Sequence, residues 1–135
     1  MDLHNTLKIT PAIAPQVETG NTAIVSAIID RANYPDLEFA ICTGTLSDAG
    51  CELTILVEDD TDAAGGTMAA VADSELLGTE AGQAITQADD GETRKIGYIG
   101  AKRYVRLTIT PANNAGNIPI AAVAIQGGAR VQPVA

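Results

Sequence analysis

Period-two alternation constrains this chain more than any other feature. From Leu37 to Cys42, the side chains of Leu37, Phe39 and Ile41 fall on one face and those of Glu38, Ala40 and Cys42 on the other. The pattern returns after Ser47-Asp48-Ala49-Gly50, with Leu53, Ile55 and Val57 on one face and Glu52, Thr54 and Glu58 opposite. Alternation of this kind marks strands with one face buried and one wet, and the turn residues between the two runs predict a hairpin. A third instance places Val105, Leu107 and Ile109 inward and Tyr104, Arg106, Thr108 and Thr110 outward.

The remaining segments fit the same class. Leu7–Thr10 reads as a first strand stopped by Pro11 and Pro15, which have no N–H to give a ladder. Ala23–Ile29 is apolar except for Ser26, as expected of a strand buried on both sides or meeting a partner with its outer face. Asp59–Ala72 reads as a loop. Asp73–Gly78 predicts one helical turn with Asp73 as N-cap and Gly78 as the stop, and a helix over Thr67–Leu77 is the alternative. Gly82–Ala88, Thr93–Ile99 and Ile118–Ile125 complete the strands. Seven to eight short strands, turn signals about every dozen residues and at most one short helical turn predict an antiparallel β-sandwich or jelly roll. With 135 residues and no internal linker or repeat, the expectation is one domain over 1–135, with 1–6 and 127–135 as extended arms.

Charge narrows the functional classes. A net charge of −9 argues against direct nucleic-acid binding, which needs clustered bases to neutralise phosphates. Its distribution is lopsided: residues 1–92 hold all 17 acids with only Lys8 and Arg31, and residues 93–135 hold six bases and no acid. The N-terminus lacks the basic and apolar regions of an export signal, and apolar runs such as Ala121–Ile125 are too short to span a bilayer, so a soluble protein made in the cytoplasm is expected. Cys42 and Cys51 flank a turn and fall on opposite strand faces, so free thiols are favoured over a bridge, which would need a bulge or change of register.

Reactive groups are scarce. The one histidine is His4, so a Ser-His or Cys-His nucleophile is not expected, and Gly65-Gly66 lacks the lysine and helix of a phosphate loop. Two acidic runs, Glu58-Asp59-Asp60-Thr61-Asp62 and Asp89-Asp90-Gly91-Glu92, offer calcium-type oxygens. Neither has the spacing of a twelve-residue calcium loop, and solvated acidic loops are the preferred reading. With no Trp and few other rings, a sugar platform is poorly supplied. No enzyme, metal or cofactor is expected.

What remains is Lys95–Pro111, read as strand, Gly-containing turn and strand: a central hairpin. It gathers Lys95, Lys102, Arg103 and Arg106 with Tyr98 and Tyr104. One reading is a solvated face balanced by nearby acids. The other is an interface formed by Lys102, Arg103, Tyr104 and Arg106, with Tyr104 and Arg106 of the types enriched at hot spots. The interface reading expects Arg106→Glu to weaken assembly and leave the monomer folded.

The wording of Tyr98-Ile99-Gly100-Ala101-Lys102-Arg103-Tyr104-Val105-Arg106-Leu107-Thr108-Ile109-Thr110, followed by Ile118-Pro119-Ile120-Ala121-Ala122-Val123-Ala124-Ile125, resembles a group of small tailed-bacteriophage virion proteins, the capsid decoration or cement proteins. The likeness reaches back through Asp36–Ala40 and Leu53–Asp59 and covers about Asn21–Gly127. It implies a jelly-roll-like sandwich that sits on the outside of an icosahedral shell, often as a homotrimer. The implied partner is the major capsid protein, with strand addition from the terminal arms as one means of attachment, and no membrane is involved. It carries over no catalytic residue. A neck or tail adaptor in the same virion, and a carbohydrate- or calcium-binding β-sandwich module, are the alternatives.

Overall fold

The alternating runs become strands, and each buries the face that its pattern assigns inward. This is seen in a computed structural model that describes residues 2–134. After a helical turn α1 (Leu3–Thr6) come β1 (Lys8–Glu18), β2 (Ile24–Val25), β3 (Ile29–Asp30), β4 (Asp36–Thr43), β5 (Glu52–Asp60) and β6 (Ala69–Ala70). They are followed by β7 (Leu76–Leu77), β8 (Ile85–Thr86), β9 (Thr93–Tyr98), β10 (Tyr104–Ala112) and β11 (Ile118–Gly127). One sheet has the order β1-β11-β4-β9-β7. The other has β10 and β5 at its centre, with β2 and β3 on the far side of β10 and β6 and β8 on the far side of β5. The pairings are antiparallel. Successive long strands change sheet, β4 to β5 and β9 to β10 to β11, which is the winding of a jelly roll.

That winding corrects both predicted hairpins. β4 and β5 are not neighbours: β4 lies between β11 and β9, and β5 between β10 and the short strands. The link between them is too long for a tight hairpin and carries Leu46, which is fully buried. Its amide donates to the Asp90 carboxylate, and Gly44 and Ser47 donate to Pro119 and Asn117 carbonyls. An apolar anchor in mid-loop pulls the chain across the sandwich instead of folding it back. Likewise β9 and β10 lie in different sheets, so Lys95–Pro111 is a sheet-to-sheet crossing and not a hairpin.

Other segments depart from expectation for local reasons. β1 runs through Pro11 and Pro15, because it is an edge strand with register shifts at both places, where a missing N–H costs no ladder bond. Ala23–Ile29 is not buried on both sides: Ile24 and Ile29 are buried and Val25 is exposed. It splits at Ser26, whose hydroxyl accepts the Leu107 amide and so stands in for a ladder carbonyl. The turn at Asp73 is a three-residue 3₁₀ turn, Asp73–Glu75, preceded by Ala72 with no side-chain cap, and Leu76 has already left it to join β7. Within Gly82–Ala88 only Ile85–Thr86 is strand, flanked by 3₁₀ turns. Among the described residues the expected seven to eight strands become eleven, five of them two residues long, with one α-helical and three 3₁₀ turns.

The expected N-terminal arm is in part the α1 turn, capped by the Asp2 carboxylate on the Asn5 amide at 2.7 Å. The C-terminal segment folds onto it, with the Val134 amide donating to the Asn5 carbonyl. Between the sheets lies one cluster of buried aliphatics around Phe39. Phe39, Ile41, Val57, Val105, Leu107 and Ile109 have no exposed area, and each such side chain is worth about 1.5–3 kcal/mol of burial. Cys42 is exposed and Cys51 buried, and both are free thiols.

Candidate interaction surface

The crossing from β9 to β10 is built around Tyr98. Its ring is buried at the end of β9, and its hydroxyl donates to Asp59 Oδ2 at 2.8 Å and accepts the Lys102 amide at 3.1 Å. Burial, then the bond to Asp59, push its phenol up to about 12. The Arg31 guanidinium lies 4.6 Å from the ring centroid and donates to the Gly100 and Lys102 carbonyls. Gly100 sits so close that a Cβ there would stand 2.5 Å from the Tyr98 oxygen, so glycine is required by contact. Chain crossing, buried phenol and two charges are thereby locked together.

The four residues singled out in the sequence occupy this corner and the outer face of β10. Lys102 Nζ meets Asp59 Oδ1 at 2.9 Å, and that carboxylate raises the ammonium's pKa. Arg103 binds Asp30 with two bonds, at 2.8 and 2.9 Å. Arg106 donates to Glu58 Oε1 at 3.0 Å, an oxygen that also accepts the Thr108 hydroxyl. Tyr104 is half-buried with the Arg103 guanidinium 5.1 Å from its ring centroid. Three of the six bases of residues 93–135, Lys102, Arg103 and Arg106, are thus met by Asp59, Asp30 and Glu58, which the winding carries to them. Arg103 and Asp30 are each about half exposed, so that pair is worth little to the fold and is open to a partner, whereas Arg106 and Glu58 are mostly covered.

The acidic runs diverge instead of forming a site. Glu58 faces Arg106, Asp59 turns into the Tyr98 corner, and Asp60 accepts the Asp62 and Thr67 amides and the Thr67 hydroxyl. Those bonds, the Asp62 amide foremost, hold the Asp60 carboxyl down at about 2. In the second run Asp89 is held by Thr86 and Arg94, Asp90 by the Leu46 amide, and Glu92 pairs with Arg94. Among the described residues no three His, Cys, Asp or Glu side chains are grouped to hold a metal. No helix among them is long and apolar enough to cross a membrane.

Sequence reasoning missed the outer face of the other sheet. Along β11 the outward residues are Pro119, Ala121, Val123 and Ile125, and on β1 they include Ile9 and Val17, which are 64% and 57% exposed. Ala40 and Cys42 continue it on β4, and Leu77 closes it on β7 at 56% exposed. A cleft of about 510 Å³ opens at one end, between Leu3, Leu77, Ile99 and Ile125. A second, of about 470 Å³, lies at the other, between Pro15, Val17, Cys42 and Ala121. The signal was present: in β11 the outward positions are as apolar as the inward ones.

No family model matches the chain, and no curated protein matches it. Among solved structures it is similar to the PBSX exported protein XepA, at 16% identity and a TM-score of 0.56, over 100% of this chain and 41% of that one. It is similar to a structure of infectious bursal disease virus, Gx strain, at 14% identity and a TM-score of 0.51, over 93% of this chain and 34% of that one. A weaker likeness, at 13% identity and a TM-score of 0.46, is to the xylan-binding module CBM15, over 97% and 96%. This chain therefore spans well under half the length of the first two, and what it shares with them is the β-sandwich fold.

Proposed function

We propose that this chain is a structural virion protein of a tailed bacteriophage, one that decorates an icosahedral capsid from outside and stabilises it by binding the major capsid protein. The observation that carries the reading is the disposition of the polar groups. Lys102, Arg106, Asp59 and Glu58 are spent on holding the sandwich together, and a broad apolar sheet face is left uncovered. Such a molecule is equipped to make wide, shallow contacts and carries no converging reactive set among its described residues. The jelly-roll winding and the fold likeness to the PBSX exported protein XepA and to a virus structure agree with this role. Arg103, which is exposed, and its neighbour Tyr104, whose ring it covers, are the proposed contact to the shell, and further copies of the chain are the other proposed partner.

The test is reconstitution. Purified protein added to heads that lack it is expected to co-sediment with them and to raise the temperature at which they open, because a ligand of the closed shell alone stabilises it by mass action. Failure to bind heads at any concentration overturns the reading. Stabilisation of the free chain by calcium or by xylan, with no binding to heads, favours the carbohydrate- or calcium-binding module instead.

A further inference from the structure

We propose that the outer face of the β1-β11-β4-β9 sheet is a self-association surface, on which two copies of the chain pack face to face about a two-fold axis. The observations on the page favour this face over every other surface. The opposite sheet presents the paired Arg106 and Glu58 and the Thr54 hydroxyl, which donates to the Thr110 carbonyl, so that its outward apolar residues, Leu56 and Val25, stand among polar groups. The sheet edges are poor sites for strand addition, since β1 carries Pro11 and Pro15 with register shifts and β7 is two residues long. Among the described residues the outer face of the β1-β11-β4-β9 sheet is the broad apolar surface that runs over several neighbouring strands.

Charge selects a second copy as its occupant. The chain carries −9, so two copies repel unless they meet where neither presents net charge. On this face the charged outward residues at its centre are one acid, Glu38, and one base, Lys95, on the adjacent strands β4 and β9. Their register is diagonal: Glu38 stands opposite Gly97, and Lys95 opposite Ala40. Neither side chain has an ion-pair partner among the described residues. Both line one recess of about 520 Å³ on the flank of β9. Gly97 makes room for Glu38, because a Cβ there would stand 2.7 Å from its carboxylate oxygen. A two-fold axis passing between the two sets Glu38 of each copy against Lys95 of the other, the reciprocal arrangement of an isologous contact. The face is thus complementary to itself in charge as well as in its aliphatic character.

Size agrees. Four strands about 4.8 Å apart and about nine residues long at 3.4 Å each give about 600 Å² per copy. A standard interface buries about 800 Å² per partner, and the exposed Leu77 and the end clefts extend the sheet area towards that figure. A contact that pairs a face with itself closes at two copies, so this surface makes dimers and not the three-fold ring that the decoration-protein resemblance implies.

The experiment is sedimentation equilibrium on the purified chain and its variants, with circular dichroism to confirm that each is folded. The chain is expected to form a dimer, and Val123→Glu, which puts a charge at the centre of the face, to weaken it at least about tenfold. Glu38→Lys and Lys95→Glu alone are each expected to weaken the dimer, and the double swap to restore it. Lys95 is exposed, so Lys95→Glu keeps the test valid if Val123→Glu does not fold. A monomer at every accessible concentration overturns the proposal, as does a trimer. A dimer whose affinity is indifferent to Val123→Glu or to the charge swap overturns it too.

Discussion

Tyr98→Ala is expected to destabilise the protein by about 3–5 kcal/mol, the range for removing a buried aromatic ring. Tyr98 is 1% exposed, and its removal leaves a cavity under the Arg31 guanidinium where the chain leaves β9 for β10. Tyr98→Phe keeps the ring and strands the Lys102 amide and one Asp59 oxygen, so the expected cost falls to about 1–3 kcal/mol. Urea melts of the two variants measure both values, and equal losses would show that the hydroxyl, not the ring, fixes the corner. The phenol adds a pH signature. Its pKa is raised in the folded state from about 10 to about 12, so its contribution is fully present below pH 10. As pH climbs from about 10 to about 12 the unfolded chain releases this proton before the folded one does, and stability declines. Tyr98→Phe is expected to flatten that alkaline decline and to remove a late-titrating phenol from the ultraviolet titration of the folded protein.

Arg106→Glu is expected to cost about 3 kcal/mol, the scale for breaking a covered ion pair by removing one partner. Arg106 and Glu58 side chains retain only 25% and 15% of their exposure, and the new carboxylate would face Glu58 directly across the β10–β5 ladder. Loss of assembly without loss of stability, the outcome that an interface role predicts, would contradict this structural assignment. Replacing both partners with leucine separates the pair's net worth from the cost of an orphaned charge. That double variant should be near neutral, because the desolvation of both charges disappears with their attraction. Chemical denaturation of the single and double variants supplies the comparison.

These two residues show what the sequence could and could not disclose. Alternation is a local property, so the inward faces of β4, β5 and β10 were legible residue by residue: Leu37, Phe39, Ile41, Leu53, Ile55, Val57, Val105, Leu107 and Ile109 are all buried. It says which way a side chain points and nothing of which strand lies alongside. β4 pairs with β11, Ala40 opposite Val123, across most of the chain, and a turn-rich link such as Thr43–Gly50 looks the same whether it closes a hairpin or crosses a sandwich. Only Leu46, an apolar residue in the middle of that loop, marked the crossing.

The charges were legible as a list and not as pairs. Arg103 meets Asp30 73 residues away and Arg106 meets Glu58 48 residues away, distances over which composition gives no guidance. Within the basic stretch the fold brings acids to Lys102, Arg103 and Arg106, and Lys95 has no ion-pair partner among the described residues. The opposite sheet face went unnoticed because β11 reads as an ordinary core strand. Its doubly apolar pattern is the same feature that was noted in Ala23–Ile29, where Val25 turned out to be exposed.

The central claim, that this chain is an architectural component of a phage shell, is tested most directly by counting it. Particles of the proposed phage, purified on a density gradient, would be analysed by quantitative mass spectrometry against the major capsid protein. The account predicts that the chain is present in a fixed ratio to the shell subunit, with hundreds of copies per particle. Its absence from purified particles would contradict the account outright, and a count of about a dozen would move it from the capsid surface to the neck or tail.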